Sequence, residues 1–548
     1  MKLILLEIFS APTCGGLLDG LSIRLREDNV EYFEFDPLCF VGPNGAGKSQ
    51  VIQVLAEALQ VICHASAPTQ ERNESNPWLE FSLEYLISTN GDTAPTRVRA
   101  TRKRESSKKA LSLVIAEFQS GAWVDCEIGS ERARQLLPAR IIGYTSGDNE
   151  TLSLPFLTSR SGYADQVATS ALSDTEAERN QEIDDTRLQL IDYGTNLEVL
   201  TSNLLLGSDD IRAALLKDAR VKDFHSCRCV IQLAHTAVPK ASAKLRKLTG
   251  RKGIQITPEL EDYIEALKNC STCHHYDDKT EKYIFDFWVN SATRECFNAY
   301  WTSVHDLFLA MHKIAMLNDL AIPRETRRRF KKEASERRFA SRMPEPQDEQ
   351  KVFRYEQVRF QPLDGGQPVD YVSLSDGEHQ LGQLLGTLSM QHFPGTVFLL
   401  DEPESHFNPQ WRAKAITRIL ELPTGDGSRS KPGKCGPNAQ ECILTTHAPF
   451  VLSDVRRERV FIFSKEDGQI KVRHPDIETY GAPFDTLLEE CFNVVPPISE
   501  RSLARIEHLL KSEDVEEIEA ELPEIANSSQ KAFLLDRVRQ LRKGQRSQ

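Results

Sequence analysis

A glycine-rich segment near the start of the chain has the composition of a phosphate-binding loop. It reads Gly42-Pro43-Asn44-Gly45-Ala46-Gly47-Lys48-Ser49 and fits the pattern G-x-x-x-x-G-K-[ST]. Glycines let backbone N–H groups face phosphates, and a helix N-terminus after the loop adds a favourable dipole. Lys48 can bridge the β- and γ-phosphates of ATP, and the Ser49 hydroxyl can bind Mg²⁺. The loop therefore predicts a site for ATP with Mg²⁺.

Two acidic residues and a histidine follow apolar runs later in the chain. Asp401 and Glu402 come after the run 396–400, and His447 comes after the run 442–446. In open α/β sheets, ligands bind at the C-terminal ends of the strands. We expect Asp401 to hold Mg²⁺, Glu402 to act as general base on water, and His447 to contact the γ-phosphate. A lone histidine is more often structural, and only this position argues for the catalytic role.

A third segment, Ser375-Asp376-Gly377-Glu378, precedes an apolar helical pattern. A serine hydroxyl and a glycine at a helix N-terminus can bind an anion. Taken alone, the same residues are more often a simple helix cap. In a chain that also has the phosphate loop and the acidic pair, we expect Ser375, Gly377 and Glu378 to take part in nucleotide binding.

The elements that must position these residues follow the pattern of an α/β domain. Residues 34–41 are predicted to form the strand entering the loop, and residues 49–59 the helix leaving it. Residues 79–87 alternate as an antiparallel strand should, and residues 97–102 and 111–115 could pair with this strand. From about 175 to 341 the pattern turns helical, without the long heptad array of a coiled-coil arm.

We therefore predict an α/β fold with a P-loop ATPase head built on a mixed sheet, a mainly helical insert and a short helical C-terminal tail. The head is divided between residues 1–170, with the loop and the antiparallel strands, and residues 346–497, with the three later motifs. The insert spans 171–345 and the charged tail 498–548. A length of 548 residues suits two or three domains.

The set of motifs resembles that of ABC-type ATPases, in the SMC/RecF-like branch rather than the transporter branch. The form of residues 401–406, with Glu378 in the signature, is similar to that of overcoming-lysogenization-defect and related phage-defence ATPases. The resemblance implies an ABC-type head that works as a homodimer. Ser375 and Gly377 of one subunit would close over ATP held by Lys48 of the other, with residues 404–407 along the dimer seam.

A narrower resemblance lies in residues 141–152, Ile-Ile-Gly-Tyr-Thr-Ser-Gly-Asp-Asn-Glu-Thr-Leu. The stretch is similar to one in restriction-system-associated ATPases of the Septu-type and retron-associated kind. This implies bacterial anti-phage defence, a partner nuclease of the HNH type, and a reverse transcriptase with its RNA or DNA. In transporters this region carries a glutamine that senses the γ-phosphate. Residues 146–149 can replace it, or they form only a polar turn after a buried strand.

The overall charge gives no reason to expect general attraction to nucleic acid. The chain carries 67 basic and 80 acidic residues, a net charge of −13. Local contact with phosphate backbones could come from Arg102–Arg104 or Arg327–Arg329, although charge runs are usually solvated faces. Scattered cysteines favour a reducing cytosol. No stretch approaches the roughly 18–20 apolar residues of a membrane span, so we expect a soluble, cytoplasmic protein without a membrane partner.

Four cysteines in the insert raise the question of a zinc site. Cys270 and Cys273 have C-x-x-C spacing, but Cys227 and Cys229 are too close together for a usual ligand pair. Ordinary reduced cysteines are the alternative.

Two other functions remain open from the sequence. One is a DNA-repair or recombination ATPase that clamps DNA directly, and the other is a self-contained nuclease with an unrecognised active site. Neither an H-N-H nuclease cluster nor an acidic TOPRIM-like set can be recognised in the sequence. We therefore expect any nuclease to be a separate chain.

Overall fold

The glycine-rich loop, the acidic pair and the histidine all follow strands of one seven-stranded sheet. This sheet is seen in a computed structural model, which describes residues 1–28, 30–73, 75–88, 94–104, 110–147, 150–173, 175–234, 250–335, 346–391, 393–424, 427–430 and 436–546. The chain divides into two compact units, Met1–Gly481 and Ala482–Gln548.

The first unit contains both strands and helices. Its strands are β1 (Lys2–Ser10), β2 (Leu21–Arg24), β3 (Leu38–Val41), β4 (Glu80–Ile87), β5 (Thr96–Arg104), β6 (Leu111–Gln119), β7 (Ala122–Cys126), β8 (Arg140–Thr145), β9 (Leu188–Ile191), β10 (Val221–Gln232), β11 (Cys273–Asp277), β12 (Lys282–Trp288), β13 (Phe353–Pro362), β14 (Val369–Asp370), β15 (Thr396–Asp401), β16 (Pro423–Thr424), β17 (Gly427–Ser428), β18 (Glu441–Thr445), β19 (Val460–Glu466) and β20 (Gln469–Arg473). Its α-helices are α1 (Lys48–Ser66), α2 (Glu131–Gln135), α3 (Glu150–Arg160), α4 (Tyr163–Ala171), α5 (Glu176–Arg179), α6 (Asn196–Leu206), α7 (Asp209–Leu216), α8 (Pro258–Cys270), α9 (Ser291–Tyr300), α10 (Val304–Met316), α11 (Arg324–Ser335), α12 (Asp376–Met390), α13 (Pro409–Arg412), α14 (Ala415–Leu420) and α15 (Pro449–Leu452). This is the α/β class that the sequence predicts.

The central sheet has the order β20-β19-β3-β18-β15-β8-β9. Neighbouring strands run parallel from β19 to β9, and β20 is antiparallel to β19 at the edge. The sheet is therefore mixed, as predicted. Every residue of β3, β15 and β18 is buried. Such continuous apolar runs are typical of parallel strands covered on both faces.

Helix α1, which follows the loop, is buried along nearly its whole length. It shares one hydrophobic core with the central sheet and with a second, six-stranded sheet of order β2-β1-β4-β5-β6-β7. This second sheet is antiparallel throughout. Residues 79–87 (which contain β4) pair with residues 97–102 (in β5) as predicted, whereas residues 111–115 (in β6) pair with β5 and not directly with β4. The loop is thus anchored to a helix that is buried on nearly all of its faces.

The insert is mainly helical, as predicted, but it also contributes strands that its residue pattern does not indicate. Strands β10, β11 and β12 join β13 and β14 in a five-stranded sheet of order β11-β12-β10-β13-β14. Helices α6, α8 and α10 pack with this sheet in a second hydrophobic core. The edge strand β11 reads CHHYD and is mostly exposed, so it lacks the apolar alternation that reveals a strand.

The helix after the signature, α12, packs closely on α6 of the insert. The Asn203 amide donates to the Gly386 carbonyl at 3.1 Å, and a Cβ on Gly386 would lie 3.0 Å from Val199 Cγ1. Gly386 therefore permits a backbone approach that a larger residue would obstruct. The signature helix and the insert are in this way packed as one body.

The second unit is helical, as predicted for the tail. It contains α16 (Phe484–Phe492), α17 (Glu500–Lys511), α18 (Val515–Glu521) and α19 (Ser529–Arg546). A small core of its own includes Ile506, Leu509 and Leu534. The unit begins at Ala482, whereas the predicted boundary at 497 places α16 with the head. The division into four segments remains a prediction.

Candidate nucleotide site

The carboxyl ends of four adjacent parallel strands meet at one edge of the central sheet. Asp401, at the end of β15, lies opposite Thr445 of β18 on one side and Thr145 of β8 on the other. Thr445 in turn lies opposite Phe40 of β3, just before the glycine-rich loop. The loop, the acidic pair and the histidine therefore converge because their strands are in register.

The loop leaves β3 with a backbone conformation that favours glycine. Gly42 has φ +131°, and a Cβ there would lie 2.2 Å from the Phe463 carbonyl oxygen of β19. Gly45, at φ +76°, has no atom within 4 Å of such a Cβ. One side of the loop is therefore pressed against the sheet, while the open side leaves room for phosphates to approach the backbone.

Lys48 begins α1 and turns its ammonium group back into the loop. Its Nζ donates to the carbonyl oxygens of Gly42 at 3.0 Å and Pro43 at 3.1 Å. Burial lowers the pKa of Lys48, and the nearby Glu402 and Asp401 carboxylates oppose that shift. The two carbonyls hold the ammonium without neutralising it, so phosphate oxygens fit this position as counter-ions.

Two hydroxyl groups converge on one oxygen of Asp401. Ser49 Oγ donates to Asp401 Oδ1 at 3.0 Å, and Thr445 Oγ1 donates to the same oxygen. Burial raises the pKa of Asp401, while the two hydrogen bonds counteract this effect. Hydroxyl and carboxylate oxygens are ligands that suit Mg²⁺. Ser49 and Asp401 therefore fit the predicted metal role by donor chemistry.

Glu402 and His447 form a second polar pair beside this group. Glu402 Oε1 lies 3.3 Å from His447 Nε2, and this hydrogen bond lowers the pKa of Glu402. The Glu402 backbone has φ +47°, a left-handed conformation that costs a non-glycine residue about 1–3 kcal/mol. Its N–H donates to Thr445 Oγ1 at 3.0 Å, which helps to hold that turn. The side chain is 43% exposed, so an ionised carboxylate faces outward from the strand ends.

The signature residues occupy a different surface. Ser375 caps α12 in a capping box, because its Oγ accepts from the Glu378 N–H at 3.3 Å and Glu378 Oε2 accepts from the Ser375 N–H at 2.7 Å. A Cβ on Gly377 would lie 3.2 Å from both the His406 carbonyl oxygen and the Trp411 ring. Residues 373–378 line an open pocket of about 860 Å³, and no residue of the phosphate loop lines it. The structure thus brings Lys48 and the strand-end residues together and leaves the signature apart.

Two residues take part in this network without having been assigned a role from the sequence. Thr445 bonds to Asp401 and also to the Glu402 backbone. Gln380 of α12 is buried and spans between Ser146, after β8, and His406, after the acidic pair. A hydroxyl residue just before the histidine is a recognisable signal for Thr445. Nothing in the local sequence distinguishes Gln380 from its neighbours.

Only part of the predicted dimer-seam segment 404–407 is exposed. Glu404 and Phe407 are buried, Ser405 is half-buried and His406 is exposed. Thr446 Oγ1 donates to Glu404 Oε1, and burial raises the pKa of Glu404 to about 7. Among the candidates for the transporter glutamine, Ser146 lies at the end of β8 with its Oγ 2.6 Å from Ser405 Oγ. Residues 148 and 149 lie outside the described part of the chain.

In each of the two basic runs, the guanidinium group of one arginine contacts other residues of the protein. Arg327 of α11 is buried, donates to the carbonyls of Asp319 and Ile322, and forms an ion pair with Asp165 at 2.8 Å. Its guanidinium is therefore unavailable to a nucleic acid, whereas Arg328 and Arg329 are exposed. In the other run, Arg102 donates to the Asn76 carbonyl at 2.6 Å, and Lys103 and Arg104 are exposed.

The four cysteines of the zinc hypothesis do not form a metal-binding cluster. Cys227, Cys229 and Cys270 are buried, and Cys273 is exposed on β11. Within the described ranges, no group of three or more His, Cys, Asp or Glu side chains could hold a metal ion. In the same part of the chain, no helix is long and apolar enough to cross a bilayer.

The buried carboxyl of Glu404 gives the protein a specific pH dependence. The pKa of about 7, compared with 4.5 for an ordinary glutamate, means that the folded protein keeps a proton that the unfolded chain loses. The stability from the neutral carboxyl is complete below pH 4.5 and is lost as the pH rises towards 7, up to about 3 kcal/mol. We expect Glu404→Gln, which remains neutral, to be within about 1 kcal/mol of the wild type near pH 5 in urea denaturation and to exceed it near pH 8 by about 3 kcal/mol.

A matched control is Glu421→Gln, which changes an exposed carboxylate at the end of α14. Its ion pair with Arg418, at 3.9 Å, is on the surface, so we expect its difference from the wild type to stay below about 1 kcal/mol at both pH values. If the Glu404→Gln difference also stays constant, Glu404 is ionised in the folded protein and its assigned protonation is wrong.

Comparison of the sequence with known protein families indicates a broad class of protein. Residues 295–453 match the family model described as "AAA domain, putative AbiEii toxin, Type IV TA system". The matched region includes the signature, the acidic pair and His447, and it begins after the phosphate loop. No curated protein matches the chain. The match supports an ATPase of the ABC-like class.

Proposed function

We propose that the chain hydrolyses ATP with Mg²⁺ as a head-to-head homodimer. The observation that carries this proposal is the separation of two half-sites within one protomer. The loop, magnesium and base residues converge at the strand ends, whereas Ser375 and Gly377 line a separate open pocket. A twofold axis between two copies would present each half-site to its complement.

The residues at the strand ends have distinct tasks in this proposal. Lys48 exchanges its two carbonyl contacts for phosphate oxygens. Ser49 and Asp401 would hold Mg²⁺, which neutralises charge on the phosphates when bound. Glu402 accepts the proton of the attacking water, because its carboxylate is ionised and exposed. His447 orients that carboxylate through their hydrogen bond.

Substitution of the two central residues should separate binding from hydrolysis. We expect Lys48→Ala to lose ATP binding, because the cation that faces the phosphates is removed. We expect Glu402→Gln to bind ATP normally but to hydrolyse it about 10²–10⁴-fold more slowly, since the general base is absent. The Glu402→Gln protein should accumulate as a dimer with ATP in size-exclusion chromatography. Normal hydrolysis by Glu402→Gln would show that the assigned base is wrong.

Mixing two inactive variants tests whether the site is shared between copies. In a Lys48→Ala and Ser375→Ala heterodimer, both defects fall in one site and the other site is intact. We expect an equal mixture to recover about a quarter of wild-type turnover, because half of the dimers are heterodimers with one working site. Failure to recover any activity would mean that Lys48 and Ser375 do not act across a dimer.

We further propose that dimer closure controls a partner nuclease in a bacterial anti-phage defence system. The resemblance of residues 401–406 and 141–152 to phage-defence ATPases supports this role. The matched family, described as an AAA domain of a putative AbiEii toxin of a type IV toxin–antitoxin system, supports the ATPase part of the proposal. The resemblance points to an HNH-type nuclease, with a reverse transcriptase and its RNA or DNA as further partners.

The nuclease proposal can be tested with purified components. We expect the chain alone to cleave neither DNA nor RNA. We also expect a neighbouring open reading frame to encode an HNH-type nuclease whose activity changes at least tenfold when the chain and ATP are added. Because the Glu402→Gln variant should stay in the ATP-bound dimer, we expect the activity of that nuclease to remain at one constant level when this variant and ATP are added. Metal-dependent cleavage by the chain alone would instead favour the self-contained nuclease. No effect on the neighbouring nuclease would reject the regulatory role.

We propose the exposed face of α11 as the contact for a nucleic-acid backbone. Arg324, Arg328 and Lys331 lie at positions i, i+4 and i+7 and are all exposed. Like charges at this spacing repel one another along a helix. Phosphates would relieve this repulsion, and the inward ion pair of Arg327 fixes the helix that presents the cations.

The corresponding variant is Arg324→Gln/Arg328→Gln/Lys331→Gln. We expect it to bind a short DNA duplex more weakly than the wild type does. The slope of log K against log salt should fall by about 0.9 for each phosphate that the variant no longer neutralises. Lys103→Gln/Arg104→Gln is the matched control on the other basic run. DNA-stimulated ATP turnover that disappears in the triple variant would favour the DNA-clamp function, and an unchanged salt slope would reject the α11 contact.

A further inference from the structure

The side chain of Gln380 lies at a junction between the signature helix and the strand ends. It projects from α12, one turn after the signature, and is 7% exposed. Its Nε2 donates to the Ser146 carbonyl at 2.6 Å, and its Oε1 accepts from the His406 N–H at 3.3 Å. Because the amide is planar, both contacts fix its position at once.

The two partners of Gln380 belong to the segments that follow the strands of the nucleotide site. Ser146 follows Thr145, which lies opposite Asp401 in the sheet. Ser146 Oγ also lies 2.6 Å from Ser405 Oγ, next to His406. The side chains and backbone of Ser146, Ser405, His406 and Gln380 therefore form a polar cluster that joins β8, the segment after β15, and α12.

The same helix carries Ser375 at its N-cap, so a displacement of α12 moves the signature hydroxyl. We propose that Gln380 is a positioning residue: it ties α12 to the strand ends of its own subunit and so places Ser375 over the nucleotide held by the other subunit. This inference rests on the dimer proposed above. In this dimer, Gln380 acts on the nucleotide that the signature of its own subunit covers and the other subunit holds. It does not act on the nucleotide held by its own phosphate loop.

Gln383 provides a matched control on the same helix. Its buried Nε2 donates to the Asp192 carbonyl, which follows the edge strand β9, so it ties α12 to the edge of the sheet and not to the four strand ends that carry the nucleotide-site residues. Gln380→Met and Gln383→Met each remove one buried amide and keep the approximate length of the side chain. Gln380→Glu is a second variant, which keeps the acceptor for the His406 N–H and loses the donor to the Ser146 carbonyl.

The test uses heterodimers with one active site. A Ser375→Ala subunit supplies Lys48, and a Lys48→Ala subunit supplies the working signature. We expect Gln380→Met to slow turnover at least about tenfold when it is placed in the signature-donating subunit, because the substitution removes two buried hydrogen bonds. In the Lys48-donating subunit it should change turnover less than about twofold. Gln380→Glu should follow the same asymmetry, and Gln383→Met should show none.

The possible outcomes separate the two proposals. If the parent heterodimer has no activity, the shared site itself is wrong. If the parent is active and Gln380→Met slows turnover equally in both subunits, or only in the Lys48-donating one, the positioning role is overturned. ATP affinity, measured with the same mixtures, should stay within about twofold of the parent, because the binding residues of the loop are untouched. A change in affinity that accounts for the whole loss of rate would also overturn the role.

Discussion

The register of four parallel strands is the constraint on which the nucleotide site depends. Asp401 stands level with Thr445 and Thr145, and Thr445 stands level with Phe40 before the loop. A shift of one residue in any of these strands would turn the site residue to the other face of the sheet. Every residue of β3, β15 and β18 is buried, so a shifted strand would have to repack its side chains on both faces of the sheet. The hydroxyl groups of Ser49 and Thr445 meet on Asp401 only because of this alignment.

The electrostatics of the site follow from differences in exposure within a few residues of chain. Asp401 and Glu404 are buried, and burial raises the pKa of each. Glu402 lies between them, but its left-handed backbone directs the carboxylate outward to His447, whose hydrogen bond lowers the pKa of Glu402. Three nearby acids thus have different environments. Of the three, Glu402 alone is both ionised and accessible to water, and a general base must be both.

The signature is joined to this site through packing rather than through direct contact. Helix α12 approaches α6 of the insert at Gly386 and reaches the strand ends through Gln380. At the start of the helix, the side chains of Ser375 and Glu378 each accept a hydrogen bond from the backbone N–H of the other residue, which forms a capping box. The helix can therefore exist as a complete, capped element in one protomer. A phosphate from a second copy would have to compete with Glu378 for the Ser375 hydroxyl.

The residue types and local elements of the site are determined by the sequence itself. The loop between strand and helix and the Ser375–Glu378 cap depend on contacts within a few residues, so their patterns are visible in the chain. The fold class follows from the same local periodicities. The tertiary structure alone decided that Arg327 points inward, that Glu404 is buried, and that the insert contributes strands to a sheet. The hydrogen bond from Ser49 to Asp401 spans 352 residues, and the one from Gln380 to Ser146 spans 234. Contacts of this kind depend on how distant elements pack, and no local pattern of residues encodes them.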